Sequence, residues 1–127
     1  MLFDVVGGQA FFDKVVEVFY DAVEHDPVLL PLYPEGSDTI GARRRLALFL
    51  SQYWGGPTTY SDERGHPRLR MRHSPYVIGE RERDRWLLHM VAAIETAAVS
   101  LPDEVRDAVR ADFVLYVTNA AEHLRNQ

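Results

Sequence analysis

Apolar residues recur every three or four positions along most of the chain, a spacing that predicts amphipathic helices. The first stripe, in residues 9–25, consists of Phe12, Val15, Val16, Phe19 and Val23. The second follows a candidate N-cap, Asp38, stops before Gly55-Gly56, and consists of Ala42, Leu46, Phe49, Leu50 and Tyr53. The third, in residues 80–99, consists of Trp86, Met90, Ala93, Ile94 and Ala97. The fourth follows Pro102 and consists of Val105, Val109, Phe113, Tyr116, Val117, Ala120 and Leu124.

The four stripes, together with the lack of strand signals, favour an all-α protein. No useful stretch alternates with a period of two, and the chain has no Asn-Gly or Asp-Gly hairpin dipeptide. Shorter helical pieces are expected near residues 28–33 and 67–73. The link from Gly55 to Pro67 is expected to be a loop, and loops of about a dozen residues are uncommon unless they have a function. This loop leads to His73.

Composition narrows the class of protein. The 127 residues suit one domain spanning 1–127, and 46% of them are hydrophobic. The net charge of -5 provides no basic field for nucleic acid. The absence of cysteine excludes disulfides and thiolate metal sites. No apolar run approaches the roughly 20 residues of a membrane span, and the N-terminus does not resemble a signal peptide, so we expect a cytoplasmic protein.

His73 is the candidate metal ligand. A histidine before Ser74-Pro75, at the end of a short arginine-rich segment, is by itself most simply a surface residue at a helix C-terminus. A zinc site is disfavoured because His66 lies seven residues away and no carboxylate or cysteine completes a ligand set. Haem iron is compatible with the pattern, since the porphyrin supplies four ligands and the protein need supply one.

Two groups of side chains could complete a haem pocket. Arginines form two clusters, Arg43 to Arg45 and Arg68 to Arg72; most are expected on a solvated face, but they also suit a buried dianionic ligand. Tyr20, Tyr33 and Trp86 each lie on or near an apolar stripe or between prolines. Each could find its own hydrogen-bond partner, or the three could present donors to one bound ligand. Periodicity does not decide between these alternatives.

Several motifs together resemble the group II truncated haemoglobins. The most specific are residues 49–61, FLSQYWGGPTTYS, and residues 64–73, RGHPRLRMRH. Val6-Gly7-Gly8, Phe19-Tyr20, residues 32–35 and residues 82–87 agree in order and spacing, so the resemblance covers nearly the whole chain. One departure is visible, because the segment from Tyr33 to Ala42 is a residue longer than the family pattern.

The resemblance implies a truncated globin fold, a two-over-two helical sandwich with helices B/E over G/H. It implies haem b, iron protoporphyrin IX, as the cofactor and His73 as the iron ligand, with the other ring nitrogen donating to a backbone carbonyl. The implied distal ligand-binding residues are Tyr20, Tyr33, Trp86, Ala42 and Leu46. The implied propionate contacts are Arg45, Tyr60 and Arg72, and the implied apolar contacts of the macrocycle are Leu69, Met71, Ile78 and Leu50.

The function implied is binding of dioxygen, nitric oxide or carbon monoxide. Alanine at position 42 cannot donate a hydrogen bond, so Tyr20, Tyr33 and Trp86 are expected to hold dioxygen and slow its release. The protein could then be an oxygen store, sensor or carrier in oxygen transport, or an enzyme, a nitric oxide dioxygenase or peroxidase with an external reductase. A remote alternative without haem is a helical adaptor or an RNA binder. The oligomeric state, with a homo-oligomer possible, stays open.

Overall fold

The computed structural model describes residues 1–36 and 38–127, and the regular elements in these residues are all helical. The α-helices are α1 Leu2–Val5, α2 Gln9–Val23, α3 Ile40–Tyr53, α4 Thr59–Arg64, α5 Leu69–His73, α6 Glu80–Ala98 and α7 Asp103–Leu124. A 3-10 helix, Leu30–Leu32, follows α2. The predicted all-α class is confirmed. No helix in the described ranges is both long and apolar enough to cross a membrane.

The long helices form two packed layers, as the two-over-two prediction requires. Helix α2 packs against α3 within one layer and against α6 of the other layer, and α6 packs against α7. The core between them contains the fully buried side chains Phe12, Phe19, Met90, Ile94 and Phe113. Because burying one such side chain stabilises by about 1.5–3 kcal/mol, these stripes hold the two layers together.

Helix α3 begins later than the sequence pattern suggested. Asp38 is not its N-cap: the cap is Thr39, and the first helical residue is Ile40. The Thr39 hydroxyl donates to Glu24 at 2.6 Å, whereas the Asp38 carboxylate accepts only a long bond, 3.4 Å, from the Ile40 amide. The start of α3 is thus tied to the end of α2. Ser37, within the segment that is longer than the family pattern, lies outside the described residues.

The link before His73 contains a helix that the sequence pattern did not predict. Helix α4 is joined to α3 by a reciprocal pair: the Gln52 amide nitrogen donates to the Ser61 hydroxyl at 2.6 Å, and the Ser61 backbone amide donates to the Gln52 oxygen at 3.0 Å. Gly65, with φ of +75°, ends α4 in a conformation that favours glycine. The link is therefore a docked element that carries the chain to α5.

The end of α7 fixes α5 and the segment that follows it. Arg70 donates to the His123 carbonyl oxygen at 3.1 Å. The Asn126 side chain accepts from the Ile78 amide at 2.9 Å and donates to the Tyr76 carbonyl at 2.8 Å. Because α5 has only five residues and cannot be stable alone, these contacts hold it in place.

Candidate functional site

An apolar cavity opens between the two helix layers and α5. Its apolar wall consists of Leu29, Leu32, Leu46, Leu50, Leu69, Ile78, Met90, Val117, Ala120, Ala121 and Leu124. Ligand pockets are commonly lined in this way, with a few polar groups that fix the orientation of the ligand. The polar and aromatic side chains at the cavity are Tyr20, Tyr33, His73, Tyr76, Glu82, Arg83, Trp86 and Tyr116.

His73 presents one ring nitrogen for a further bond. Its Nδ1 lies 2.6 Å from the carbonyl oxygen of Leu69, one turn earlier in α5. Because a carbonyl oxygen only accepts, Nδ1 must carry the proton in this contact, and in a neutral imidazole Nε2 then keeps its lone pair. Leu69 and His73 both line the cavity, as residues four apart on one helix face should. This is the arrangement of a histidine prepared to ligate a metal through Nε2.

Tyr20, Tyr33 and Trp86 are brought together on another wall of the cavity. The rings of Tyr20 and Tyr33 pack edge to face with centroids 5.5 Å apart, and Trp86 packs in the same manner on Phe19, also at 5.5 Å. Hydrogen bonding with Tyr20 and with Trp86 contributes to the pKa of the Tyr33 hydroxyl. Tyr20 and Tyr33 come from neighbouring elements, whereas Trp86 comes from α6, which is far from both in sequence, so packing brings it to them.

Both phenols keep their protons at neutral pH. Burial raises the pKa of Tyr20 to about 12 and raises the pKa of Tyr33 well above its ordinary value. The ring of Tyr20 also faces the Arg43 guanidinium, whose central carbon lies 5.8 Å from the ring centroid. Tyr20 and Tyr33 are therefore hydrogen-bond donors, like the indole N–H of Trp86.

Two residues predicted for the pocket do not line it. Met71 is 58% exposed because it lies two positions from Leu69 and His73 and so faces away from the cavity. Ala42 packs on the core, but its one-carbon side chain does not reach the cavity, whereas Leu46 in the next turn does. The other predicted apolar contacts, Leu50, Leu69 and Ile78, line it.

Arg45 is also placed elsewhere. Its guanidinium contacts the Glu35 carboxylate at 2.6 Å and is not part of the cavity wall. Consecutive helical residues point about 100° apart, so the neighbouring arginines reach other partners: Arg43 contacts Asp21 and Glu24, and Arg44 contacts Glu63. The first arginine cluster pairs with surface carboxylates and connects α3 to its neighbours.

Tyr60 of α4 and Arg72 of α5, the two other predicted propionate contacts, have their partners outside the cavity wall. Tyr60 is buried against Phe49, with ring centroids 5.5 Å apart, between α3 and α4. Arg72 donates through Nε to the Pro67 carbonyl at 2.8 Å, and so closes the turn that leads into α5. Neither residue lines the cavity.

Among the described residues that line the cavity, Arg83 is a cation that the sequence analysis did not name as a site residue. Its guanidinium contacts Asp84 at 3.0 Å and also pairs with Glu122 of α7. The sequence contained a pattern that could have identified Arg83. Positions 83, 86 and 90 share one face of α6, and Trp86 and Met90 belong to its apolar stripe, so Arg83 lies on the same face as they do. Glu82, also at the cavity, caps α6: the Gly79 amide donates to it at 2.9 Å and holds the pKa of its carboxyl below the ordinary value.

Comparison with known proteins agrees with this geometry. The model of the family described as bacterial-like globin matches residues 1–119. The group 2 truncated hemoglobin YjbI of Bacillus subtilis (strain 168) is 37% identical over 120 residues, covering 94% of this chain and 85% of that protein. The thermostable hemoglobin of Thermobifida fusca superposes with a TM-score of 0.90 at 49% identity, over 99% and 97% of the two chains. The truncated oxygen-avid haemoglobin of Bacillus subtilis superposes with a TM-score of 0.85 at 31% identity, over 98% of each chain.

An all-helical fold around an apolar cavity, with His73 on the cavity wall, is the architecture of a globin. The chain belongs to the bacterial-like globin family, and its relatives place it among the group II truncated haemoglobins. Membership implies haem-based binding of diatomic ligands such as dioxygen. The residues present fit that cofactor, because His73 offers Nε2 to a cavity whose wall is mostly apolar.

Proposed function

We propose that this chain holds haem b through His73 Nε2 and binds dioxygen with slow release, as a single globin domain of residues 1–127. The observation that carries the proposal is the 2.6 Å contact from His73 Nδ1 to the Leu69 carbonyl, which fixes the tautomer and the ring orientation. A carbonyl acceptor also raises the basicity of the opposite nitrogen. When bound, the haem iron supplies the coordination position for the diatomic ligand.

Slow release is supported by the donors at Tyr20, Tyr33 and Trp86. One net hydrogen bond contributes about 0.5–1.5 kcal/mol, so three donors on one ligand correspond to one to several orders of magnitude in dissociation rate. Phenols are protonated at neutral pH already at their ordinary pKa of about 10, and burial raises the pKa of both further. The Bacillus subtilis haemoglobin with this fold is described as oxygen-avid, and we extend that property to this chain.

Arg83 is the residue we propose for anchoring a haem propionate. It is the arginine on the cavity wall, its side chain is 20% exposed, and it already pairs with Glu122. A guanidinium on the wall of an apolar cavity suits a propionate carboxylate, and Arg45 does not line that wall. The role of Arg45, Tyr60 and Arg72 as propionate contacts stays a prediction, and Arg83 is the alternative contact that we propose.

A haem enzyme, a nitric oxide dioxygenase or a peroxidase, is the second function that this site could serve. Tight retention of dioxygen suits reaction with nitric oxide better than delivery of oxygen. Such turnover needs an external reductase, because the sequence has no flavin or nicotinamide motif. Carrier and enzyme are distinguished by sustained consumption of nitric oxide with a reductant present. The cytoplasmic location stays a prediction.

The first experiment is an absorption spectrum of the purified protein in ferric, reduced, carbon monoxide and air-equilibrated forms. We expect a Soret band that shifts on ligation, followed by slow dioxygen dissociation in stopped-flow displacement by carbon monoxide. Trp86→Phe removes one donor and keeps an aromatic ring, so dissociation should accelerate about two- to tenfold. A protein that ignores added haemin would disprove haem binding. An unchanged rate in Trp86→Phe would disprove the donor role.

A further inference from the structure

A buried ion cluster lies beside the distal wall of the cavity and has no part in the site described so far. Asp26 is almost completely buried, with its side chain 2% exposed. One of its oxygens, Oδ2, lies 3.0 Å from Arg85 Nε and 2.6 Å from His89 Nε2, both on α6. Its other oxygen, Oδ1, accepts the Val28 amide at 2.8 Å. Both oxygens of this carboxylate therefore have partners, and these connect two elements.

On one side, Asp26 organises the turn that positions Tyr33. The Oδ1 contact to the Val28 amide closes a turn at the end of α2, in which the carboxylate bonds the backbone two residues on. The Asp26 carbonyl then accepts the Leu30 amide at 2.9 Å, and the Leu30 carbonyl accepts the Tyr33 amide at 3.1 Å. Tyr33 is thus two backbone hydrogen bonds away from Asp26.

On the other side, Asp26 holds the turn of α6 that carries Trp86. Arg85 directly precedes Trp86, and His89 follows it by three positions. Because Arg85 and His89 are four apart, they share one helix face and reach the same oxygen. Two contacts to one fixed atom restrict both rotation and sliding of α6 at Trp86. Although burial opposes ionisation, these partners hold the pKa of Asp26 well below its ordinary value.

We propose that Asp26 is a positioning residue for the distal hydrogen-bond donors: through Arg85 and His89 it holds Trp86 in register with Tyr33, and so sets the dissociation rate of dioxygen. This role rests on the proposed function. The ion cluster does not contact the bound ligand; it acts by keeping two donors from different elements aimed at one point. A displacement of about 1 Å of such a group is enough to weaken its hydrogen bond.

The test uses the haem-loaded protein and compares Asp26→Asn with the wild type. Asparagine keeps the shape of the side chain but loses the charge-assisted bonds. We expect dioxygen dissociation to accelerate about two- to tenfold. His89→Leu should act in the same direction, whereas His89→Gln, which keeps a donor for Asp26, should stay within about twofold of the wild type. If Asp26→Asn does not fold, the comparison of His89→Leu with His89→Gln tests whether the ion cluster sets the dissociation rate.

A second readout separates positioning from general loss of stability. Trp54 and Trp86 are the two tryptophans of the chain, so an indole-¹⁵N spectrum of the diamagnetic ferrous carbon monoxide complex contains one resonance for each. Asp26→Asn should shift the Trp86 resonance and leave that of Trp54 in place. The control is Arg106→Gln, which loses bonds to the carbonyls of Leu101 and Ala98 at the far end of α6, ~18 Å from Trp86.

The outcomes are separable. Dissociation rates within about twofold of wild type in both Asp26→Asn and His89→Leu would overturn the proposal, as would equal shifts of both indoles in Asp26→Asn and Arg106→Gln. Faster dissociation with a shift confined to Trp86 supports it. If Trp86→Phe leaves the rate unchanged, slow release through Trp86 is wrong, while the Trp86 resonance still shows whether Asp26 positions that side chain.

Discussion

The Nδ1 atom of His73 lies 2.6 Å from the carbonyl oxygen of Leu69. This contact joins the last and first residues of the five-residue helix α5, and it turns Nε2 toward the space between the two helix layers. The helix is too short to hold this orientation by itself. It does so because Arg70 bonds the end of α7 and because Asn126 bonds the segment that follows α5.

Replacing His73 tests whether it is the iron ligand. His73→Ala should lose haem retention by more than about a hundredfold, since removing even an outer partner of a metal ligand costs about 10- to 100-fold. The Soret band after haemin addition, with and without free imidazole, is the measurement, and imidazole should restore the ligated spectrum. His66→Ala is the matched control, because His66 is exposed and outside the cavity. Equal spectra for the two variants would contradict the assignment.

We predict different effects on haem retention when Arg83 and Arg45 are replaced. Arg83→Gln removes the guanidinium at the cavity, so transfer of haem to an acceptor globin should accelerate about tenfold, the expected effect of a hydrogen bond to a charged group. Arg45→Gln removes only a surface pair with Glu35 and should leave the transfer rate unchanged. The reverse order would restore Arg45 as the propionate contact.

We expect ionisation of Asp26 to make the free energy of unfolding depend on pH. The folded-state pKa of its carboxyl is lowered, so its contribution is complete above the unfolded pKa of about 4 and is lost as the pH falls below that value. At pH 7 we expect Asp26→Asn to be less stable by about 1–3 kcal/mol. Denaturant unfolding followed by circular dichroism from pH 7 to pH 3 should show this difference shrinking.

The control for that experiment is a carboxylate of the same type on the surface. Asp103 pairs with Arg106, but its side chain is 87% exposed. Asp103→Asn should therefore change the free energy of unfolding little at any pH. A difference between Asp26→Asn and wild type that stayed constant from pH 7 to pH 3 would show that ionisation of Asp26 does not stabilise the fold.

Gly56 is required by close packing. A Cβ atom at this position would lie 2.6 Å from a ring carbon of Phe3 and 2.8 Å from the Ser51 carbonyl oxygen, and the latter cannot move without disturbing α3. Gly56→Ala should destabilise by about 1–3 kcal/mol in thermal unfolding. Gly41→Ala is the contrast: within α3 its Cβ meets only the mobile ends of Arg45 and Glu35, so we expect no loss of stability. Equal losses would refute the packing argument.

Periodicity was sufficient for the long helices because their buried faces are mostly apolar. The stripes of α2 and α6 coincide with the core, from Phe12 to Val23 and from Met90 to Ala97. The pattern failed where polar contacts decide the structure. Helix α4 forms because Gln52 bonds Ser61, and a pairing of that kind leaves no periodic signal.

The sequence by itself determined the all-helical class, the apolar stripes and His73 as the candidate ligand, since each depends on local spacing or on a motif. Only the tertiary structure decided which side chains share the cavity. It united Tyr20, Tyr33 and Trp86, placed Arg83 there instead of Arg45, and turned Met71 outward. The physical reason is that a helix stripe specifies which face is buried, whereas the partner of that face depends on how distant elements pack.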